Sequence, residues 1–304
     1  MIINLIYNFV DSFNILITIY NQLNLYVGCS GWSYKGWMGT FYPSNLENKN
    51  WLSYYSKFFR FVEVDSTFYS IPSRFIVRGW KEKTPDDFKF ILKFPKKITH
   101  DNKMQDVSKD LYVFFKNLEP LVDKTILLLI QLPHYLTASK SFEAFENMVK
   151  KLDSRFKYAL EVRDESWFNG NLYDFLRSNN IALTWSIRDE LKTPPIITSD
   201  QVYIRFIGDR SINEKDFGKI VKDRNKEMAE YIDIINDKAV LENQNVSIAF
   251  NNHFAGFGPE SASTFLKLMD KPAPEWSKEI EQNKNNKTSS IENRYQTSMS
   301  DFSK

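Results

Sequence analysis

LYVGCSGWSYKGWMGTFYP, residues 25–43, begins as a short apolar strand and then turns through a loop crowded with aromatic side chains. In an open, doubly wound sheet this first strand-to-helix turn carries the glycines that let backbone approach a phosphate, spaced G-x-G-x-x-G or, in a P-loop, G-x-x-x-x-G-K-[ST]. Neither spacing is present, and Trp32, Tyr34 and Trp37 fill the turn. No nucleotide cofactor is therefore expected, and a closed barrel is favoured over an open sheet.

Working outward, similar runs rich in β-branched and aromatic residues recur at FVEVD (61–65), FKFILKF (88–94), TILLLIQL (125–132) and YALEVR (158–163). IALTWS (181–186), VYIRF (202–206) and VSIAFNN (246–252) complete a set of eight with the first. Amphipathic stretches lie between most of them: Ser73 to Lys83, Lys109 to Leu118, Phe142 to Leu152, Leu172 to Ser178 and Asn225 to Ile235. Strands that alternate with helices pair in parallel, because a parallel crossover needs a dozen or more residues. Eight such strands predict an α/β fold, a single TIM-type (β/α)8 barrel with a parallel eight-stranded core and outer helices.

The composition agrees. The chain has 304 residues, 42% hydrophobic and 26% charged, with 40 Lys+Arg against 38 Asp+Glu. That balance argues against a disordered chain or a polybasic nucleic-acid tail. The single Cys29 cannot close an intramolecular disulfide, so a reducing, cytoplasmic setting is expected. Residues 1–24 are apolar but interrupted by Asn and Asp, with no positive n-region. They read as an extension to the domain, as an added helix or an upstream start codon, and not as a membrane span or secretory signal. The barrel domain is expected over 25–270. Residues 271–304 read as a polar tail, without apolar periodicity from Ser277 onward, and are expected to be disordered.

Several runs together carry a resemblance: VGCSGWSYKGWMGTFYP (27–43), VEVDSTFYSIPS (62–73), FKFILKFPKKITH (88–100), QLP (131–133), ALEVRDESW (159–167), YIRFIG (203–208) and FNNHFAGFGPESA (250–262). In order and spacing, from about Leu25 to Leu268, they resemble the YecE-like family, also called domain of unknown function 72. The resemblance implies a TIM-type barrel and brings no reaction with it. A fold-level analogy to endonuclease-IV-like barrels adds nucleic acid as an alternative partner. Compared with the family pattern, Cys29 stands where Thr is usual and Asp65 where Asn is more common.

Strand parity then proposes a site. Alternate residues of a barrel strand point inward, and active sites lie at the C-terminal strand ends. This groups Phe61, Glu63 and Asp65; Lys89, Ile91 and Lys93; Leu127, Leu129 and Gln131; Ala159, Glu161 and Arg163; Tyr203 and Arg205; and Ser247, Ala249, Asn251 and His253. Every list ends in a polar group, where a barrel interior would ordinarily be layered Val, Ile and Leu. Glu63 and Glu161 are the expected proton-transfer pair, since two carboxylates near cations take different pKa values. Lys93, Arg163 and Arg205 are expected to clamp a small anionic or phosphate-containing ligand, helped by Ser30, Trp32, Asp65, Tyr69, His100, Gln131, Asn251, Asn252 and His253. Three histidines are too few for a multi-zinc centre, so no metal ligands are assigned; a single divalent cation on Glu63, Asp65 or Glu161 stays open. The expected function is an uncharacterised hydrolase or phosphate-directed enzyme using carboxylate chemistry. The alternatives are a nucleic-acid-binding protein and a scaffold whose charges merely satisfy one another.

Overall fold

The computed structural model describes residues 24–237 and 245–277. Nine parallel strands, β1 (Leu25–Ser30), β2 (Phe61–Val64), β3 (Lys89–Lys93), β4 (Thr125–Gln131), β5 (Tyr158–Glu161), β6 (Ile181–Leu183), β7 (Trp185–Ile187), β8 (Gln201–Phe206) and β9 (Asn245–Phe250), form one sheet. Its order is β6-β5-β4-β3-β2-β1-β9-β8-β7. The two ends of that order, β6 and β7, are consecutive in the chain with only Thr184 between them, so the sheet is curled into a nearly closed barrel. Eight strands were expected and the sixth is split. The cause is local: Leu183 N–H donates to the Thr198 hydroxyl, which donates to Ile181 C=O, so a side chain occupies the edge that β8 would pair. From Trp185 onward the same segment pairs with β8.

Helices α1 (Trp51–Tyr55), α2 (Ser66–Tyr69), α3 (Arg74–Glu82), α4 (Ser108–Leu118), α5 (Ala138–Val149), α6 (Gly170–Ser178), α7 (Asn225–Ile235), α8 (Asn252–Ala255) and α9 (Gly258–Leu268) pack outside or at the mouth. The expected amphipathic stretches all become helices; α5 starts four residues before Phe142, since Ala138 to Ser141 carry too little apolar signal to mark it. Val62, Val64, Leu92, Leu128, Ile130, Leu160 and Ile204 belong to the large core between sheet and helices. A smaller core of Phe61, Ile91, Leu127, Leu129, Ala159, Ala182, Tyr203 and Ala249 fills the barrel's lower interior. Both faces of β4 are thus covered, which is why TILLLIQ reads as a continuous apolar run.

Among the described residues no helix is long and apolar enough to cross a membrane. Of the expected extension 1–24 only Asn24 is described, and the expected tail lies outside the described residues from 278 on. Its first part departs from expectation. Trp276 is buried, donates from Nε1 to Thr40 C=O at 2.9 Å and packs on Phe41 at 5.2 Å, because a large indole finds a ready aromatic bed there.

Candidate functional site

The inward residues above the small core are charged. Register places Ser30 beside Glu63, Gln131 beside Glu161 and Ser186 beside Arg205, so polar groups from six strands share one layer. Arg205 crosses this layer. Its Nε donates to Glu63 Oε2 at 2.7 Å and its Nη2 to Glu63 Oε1 at 2.6 Å, a two-pronged pair, while Nη1 donates to Glu161 Oε2. Tyr203 OH adds a second donor on Glu63 Oε2, and Arg163 Nε donates to Glu161 Oε1 at 3.2 Å. Glu63 and Glu161 side chains are 0% exposed and Arg205 3%. Every oxygen of the two expected proton-transfer carboxylates is therefore engaged, below any surface a ligand touches. The reason is depth: the next inward position on each strand, Asp65 or Arg163, stands between them and solvent.

A cleft of ≈ 340 Å³ opens above this layer at the C-terminal strand ends. Asp65, Lys93, Arg163, Arg205, Asn251 and His253 line it, as does Tyr69. Tyr34 of the aromatic first loop also lines it, as do Ile207, Arg210, Glu214 and Phe217, which no pattern in the sequence marks. Asp65 is 28% exposed and pairs through Oδ1 with Lys93 Nζ at 3.2 Å. Lys93 is also over the Phe68 ring, 4.7 Å from its centroid, so the ammonium is held from two sides. Gly208, at φ +73°, lets the chain leave β8 against the His253 carbonyl, where a Cβ would come within 2.5 Å of that oxygen. This close approach brings His253 to the rim.

The remaining expected residues sit elsewhere. Asn252 is buried, with Oδ1 accepting from Trp37 Nε1 at 3.0 Å and Gly258 N–H at 2.9 Å, a structural tie. Trp32 packs edge-on against Trp80, outside the cleft. His100 packs on Phe68 at 4.9 Å, with Nδ1 on the Thr99 hydroxyl. Ser30 and Gln131 are buried inside the barrel, and Ser30 Oγ and Gln131 Oε1 have no protein partner among the described residues. Cys29 points to the helix side and is fully buried; burial pushes its thiol far above its usual range, which agrees with assigning it no chemistry.

The electrostatics separate the carboxylates. Burial pushes Glu63 up, against the pull of Arg205 and with Asp65 adding to the push. Burial would also raise Glu161, but Arg205, Arg163 and Lys93 overcome it and hold the group at about 2. For Asp65 burial is likewise outweighed, by Lys93 and then Arg205, so the group is lowered and ionised at neutral pH. Burial, then Arg163 and Lys93, lower His100 to about 4, so it is neutral there. Burial and Arg210 lower His253, whose Nδ1 has no partner among the described residues.

Among the described residues no three of His, Cys, Asp and Glu come together as metal ligands. Arg205 stands between Glu63 and Glu161 and pairs with both. A larger cavity, ≈ 660 Å³, lies at the opposite end beside Tyr26, Arg60, Leu266 and Pro272. Lys57, Lys271 and Glu275 also line it, but chemistry in this architecture belongs at the C-terminal face.

Continuing the alternation of Thr184 and Ser186 reaches Arg188, just past β7, which the expected sixth strand ending at Ser186 leaves out.

Comparison with known proteins adds the following. A family model described as protein of unknown function DUF72 matches residues 26–285. The UPF0759 protein YunF of Bacillus subtilis (strain 168) is 25% identical over 273 residues, covering 81% of this chain and 95% of that protein. The UPF0759 protein YecE of Escherichia coli (strain K12) is 28% identical over 144 residues, 47% of this chain and 50% of that protein. The crystal structure of a DUF72 family protein from Thermotoga maritima MSB8 superposes with a TM-score of 0.69 at 28% identity, covering 81% of this chain and 99% of that one. A DUF72 family protein from Enterococcus faecalis V583, 20% identical with a TM-score of 0.65 over 82% of this chain and 98% of that one, shares the fold.

Proposed function

We propose, from the premise that this chain belongs to the DUF72 family, that it is an enzyme acting on a small anionic, phosphate-containing substrate held at the C-terminal mouth of its barrel. One observation carries the reading. Arg163 is fixed by Glu161 through Nε alone, its terminal nitrogens donate to no described residue, and it lines a cleft shared with Lys93 and Asp65. A guanidinium held by its near edge presents its far edge as a fork for phosphate or carboxylate.

In this reading the buried carboxylates position and the exposed one reacts. Glu63 and Glu161 hold Arg205, and Glu161 also aims Arg163. Asp65, ionised and partly exposed, accepts a proton from water as that water's oxygen bonds to phosphorus and the P–O bond to the ester oxygen breaks. Lys93 beside it neutralises the charge gathering on the departing ester oxygen, which takes its proton from solvent. His253 offers the cleft a neutral ring as a hydrogen-bonding contact. The cytoplasm, where phosphate esters abound, fits a chain whose one thiol is buried and unpaired.

The test is hydrolysis of a panel of phosphomonoesters and diesters by the intact protein and by Asp65→Asn. Loss of about a hundredfold in turnover, with substrate binding retained, is the expected result for a general base. Because Asn is the more common residue at this position in the family pattern, the variant also asks whether this chain differs from its relatives in its proton acceptor. Turnover equal to wild type removes Asp65 from the mechanism, and no binding of any phosphate compound removes the reading as a whole.

A second reading, nucleic-acid binding, draws support from Tyr69, which lines the cleft yet is 82% exposed, as a base-stacking ring would be. Steep weakening of oligonucleotide binding as salt rises distinguishes it from recognition of a small ester.

A further inference from the structure

Resting on the reading just given, we propose that Arg163 and Arg188 form a two-armed clamp for a dianionic phosphate monoester, so that Arg188 selects a doubly charged terminal phosphate over a singly charged diester. Three observations converge on it. Arg188 directly follows β7 and keeps the inward parity of Thr184 and Ser186, while Arg163 follows β5 with the parity of Ala159 and Glu161. Leu160 pairs with Leu183, so extending that register sets Arg163 level with Ser186 and Arg188 one inward position higher on the adjoining strand. Neighbouring strands lie about 4.8 Å apart, a gap that one phosphate group with two arginines on it can bridge.

The second observation is an unspent donor. The Arg188 side chain is only 15% exposed, and its Nη1 is buried without a partner among the described residues. A buried guanidinium N–H left unpaired is costly, and in native proteins such a group calls for a ligand or a specific role. The third is the like-charge pair itself. Burial lowers Arg163, Glu161 opposes this, and Arg188 and then Arg205 lower it further, so the two arginines stand close enough to repel. Two guanidinium groups that repel one another are stabilised by a ligand carrying two negative charges more than by one carrying a single charge.

Arg188 already has a weak counter-ion. Nη2 lies 3.3 Å from Glu190 Oε2, and Glu190 is 58% exposed, so a ligand phosphate displaces a solvated carboxylate at little cost.

The experiment is calorimetric titration of the full chain at pH 7.5 with phenyl phosphate and with dimethyl phosphate. A phosphomonoester has its second pKa near about 6 and is a dianion at this pH; the dimethyl ester carries one charge. Wild type is expected to bind the monoester roughly tenfold more tightly. Arg188→Met is expected to lose that preference while retaining its affinity for the diester. Glu190→Gln, an exposed change that leaves the barrel intact, is expected to tighten monoester binding about twofold by removing the competing carboxylate. If Arg188→Met does not fold, as judged by near-ultraviolet circular dichroism, the Glu190→Gln titration decides alone. Phosphate binding by wild type with an unchanged preference in Arg188→Met, or with no tightening in Glu190→Gln, overturns the clamp and leaves the anion-binding enzyme standing. Binding of neither ester by wild type overturns both.

Discussion

Two layers of charge lie one above the other at the C-terminal end of this barrel, built from the same residue types and put to different ends. In the lower layer Glu63, Arg205 and Glu161 are buried and close on one another, with Tyr203 completing the set. In the upper layer Asp65, Lys93 and Arg163 are 28%, 10% and 19% exposed, and each touches the cleft. The two lower carboxylates have every oxygen engaged inside the protein and do not line the cleft, which Arg205 alone of that layer reaches. Arg163, held through Nε, has terminal nitrogens that donate to no described residue. The difference lies in depth along the strand: Glu63 and Asp65 share a strand face two residues apart, as do Glu161 and Arg163.

The sharpest way to break this comparison is to remove the residue that completes the lower layer. Arg205→Met leaves Glu63 and Glu161 buried without their common partner, and a loss of about 3–5 kcal/mol is expected, read as a lower midpoint in urea unfolding. Arg163→Met, by contrast, leaves Glu161 paired with Arg205 and is expected to cost less stability than Arg205→Met in the same assay, while weakening phosphate binding. Equal losses of stability would mean that the upper layer is structural too.

Acid titration sharpens the comparison next. Glu161 is held at about 2 against an ordinary 4.5. Its folded pKa is depressed, so its contribution is full above the unfolded value and is lost as pH falls from about 4.5 to about 2, on the order of 3 kcal/mol. Glu63 acts in the opposite direction. Its folded pKa is raised, so its burial costs stability as pH rises through the unfolded value toward the folded one. Equilibrium unfolding of Glu161→Gln as a function of pH is expected to show less acid sensitivity than wild type between pH 4.5 and 2. An unaltered acid limb would show that Arg205 and Arg163 do not hold this carboxylate in the way described.

The smallest expected effect concerns Lys93, which the upper layer steadies with a ring. Phe68→Leu removes the face 4.7 Å from the ammonium and is expected to weaken phosphate binding by about threefold, with stability nearly unchanged, in keeping with a cation–π contact of about 0.5–1 kcal/mol. Affinity equal to wild type would leave Asp65 as the sole anchor of Lys93.

Much of this architecture was legible beforehand. The alternation of β-branched runs with amphipathic stretches marked all eight barrel strands, because period 2 and period 3.6 are set by backbone geometry and need no neighbours to be recognised. Parity likewise identified the inward face, and Leu127 and Leu129 of β4 fall where it assigns them. The split at Thr184 was not legible, since it depends on Thr198 reaching across to a strand fifteen residues away in the chain. Arg188 was missed for a smaller reason: the expected strand ends at Ser186, one residue before β7 does, and continuing the alternation past it reaches Arg188.

What the sequence determined by itself is the order of the elements and which side chains face the barrel axis, both consequences of local periodicity. What only the tertiary structure decided is which of those charges remain available. Arg205 reaches Glu63 across 142 residues of chain, and it does so because closure of the sheet brings β8 opposite β2. Periodicity fixes a direction for each side chain. Solvent exposure is fixed by how far the strand end rises above its neighbours, and that height exists only once the barrel has closed.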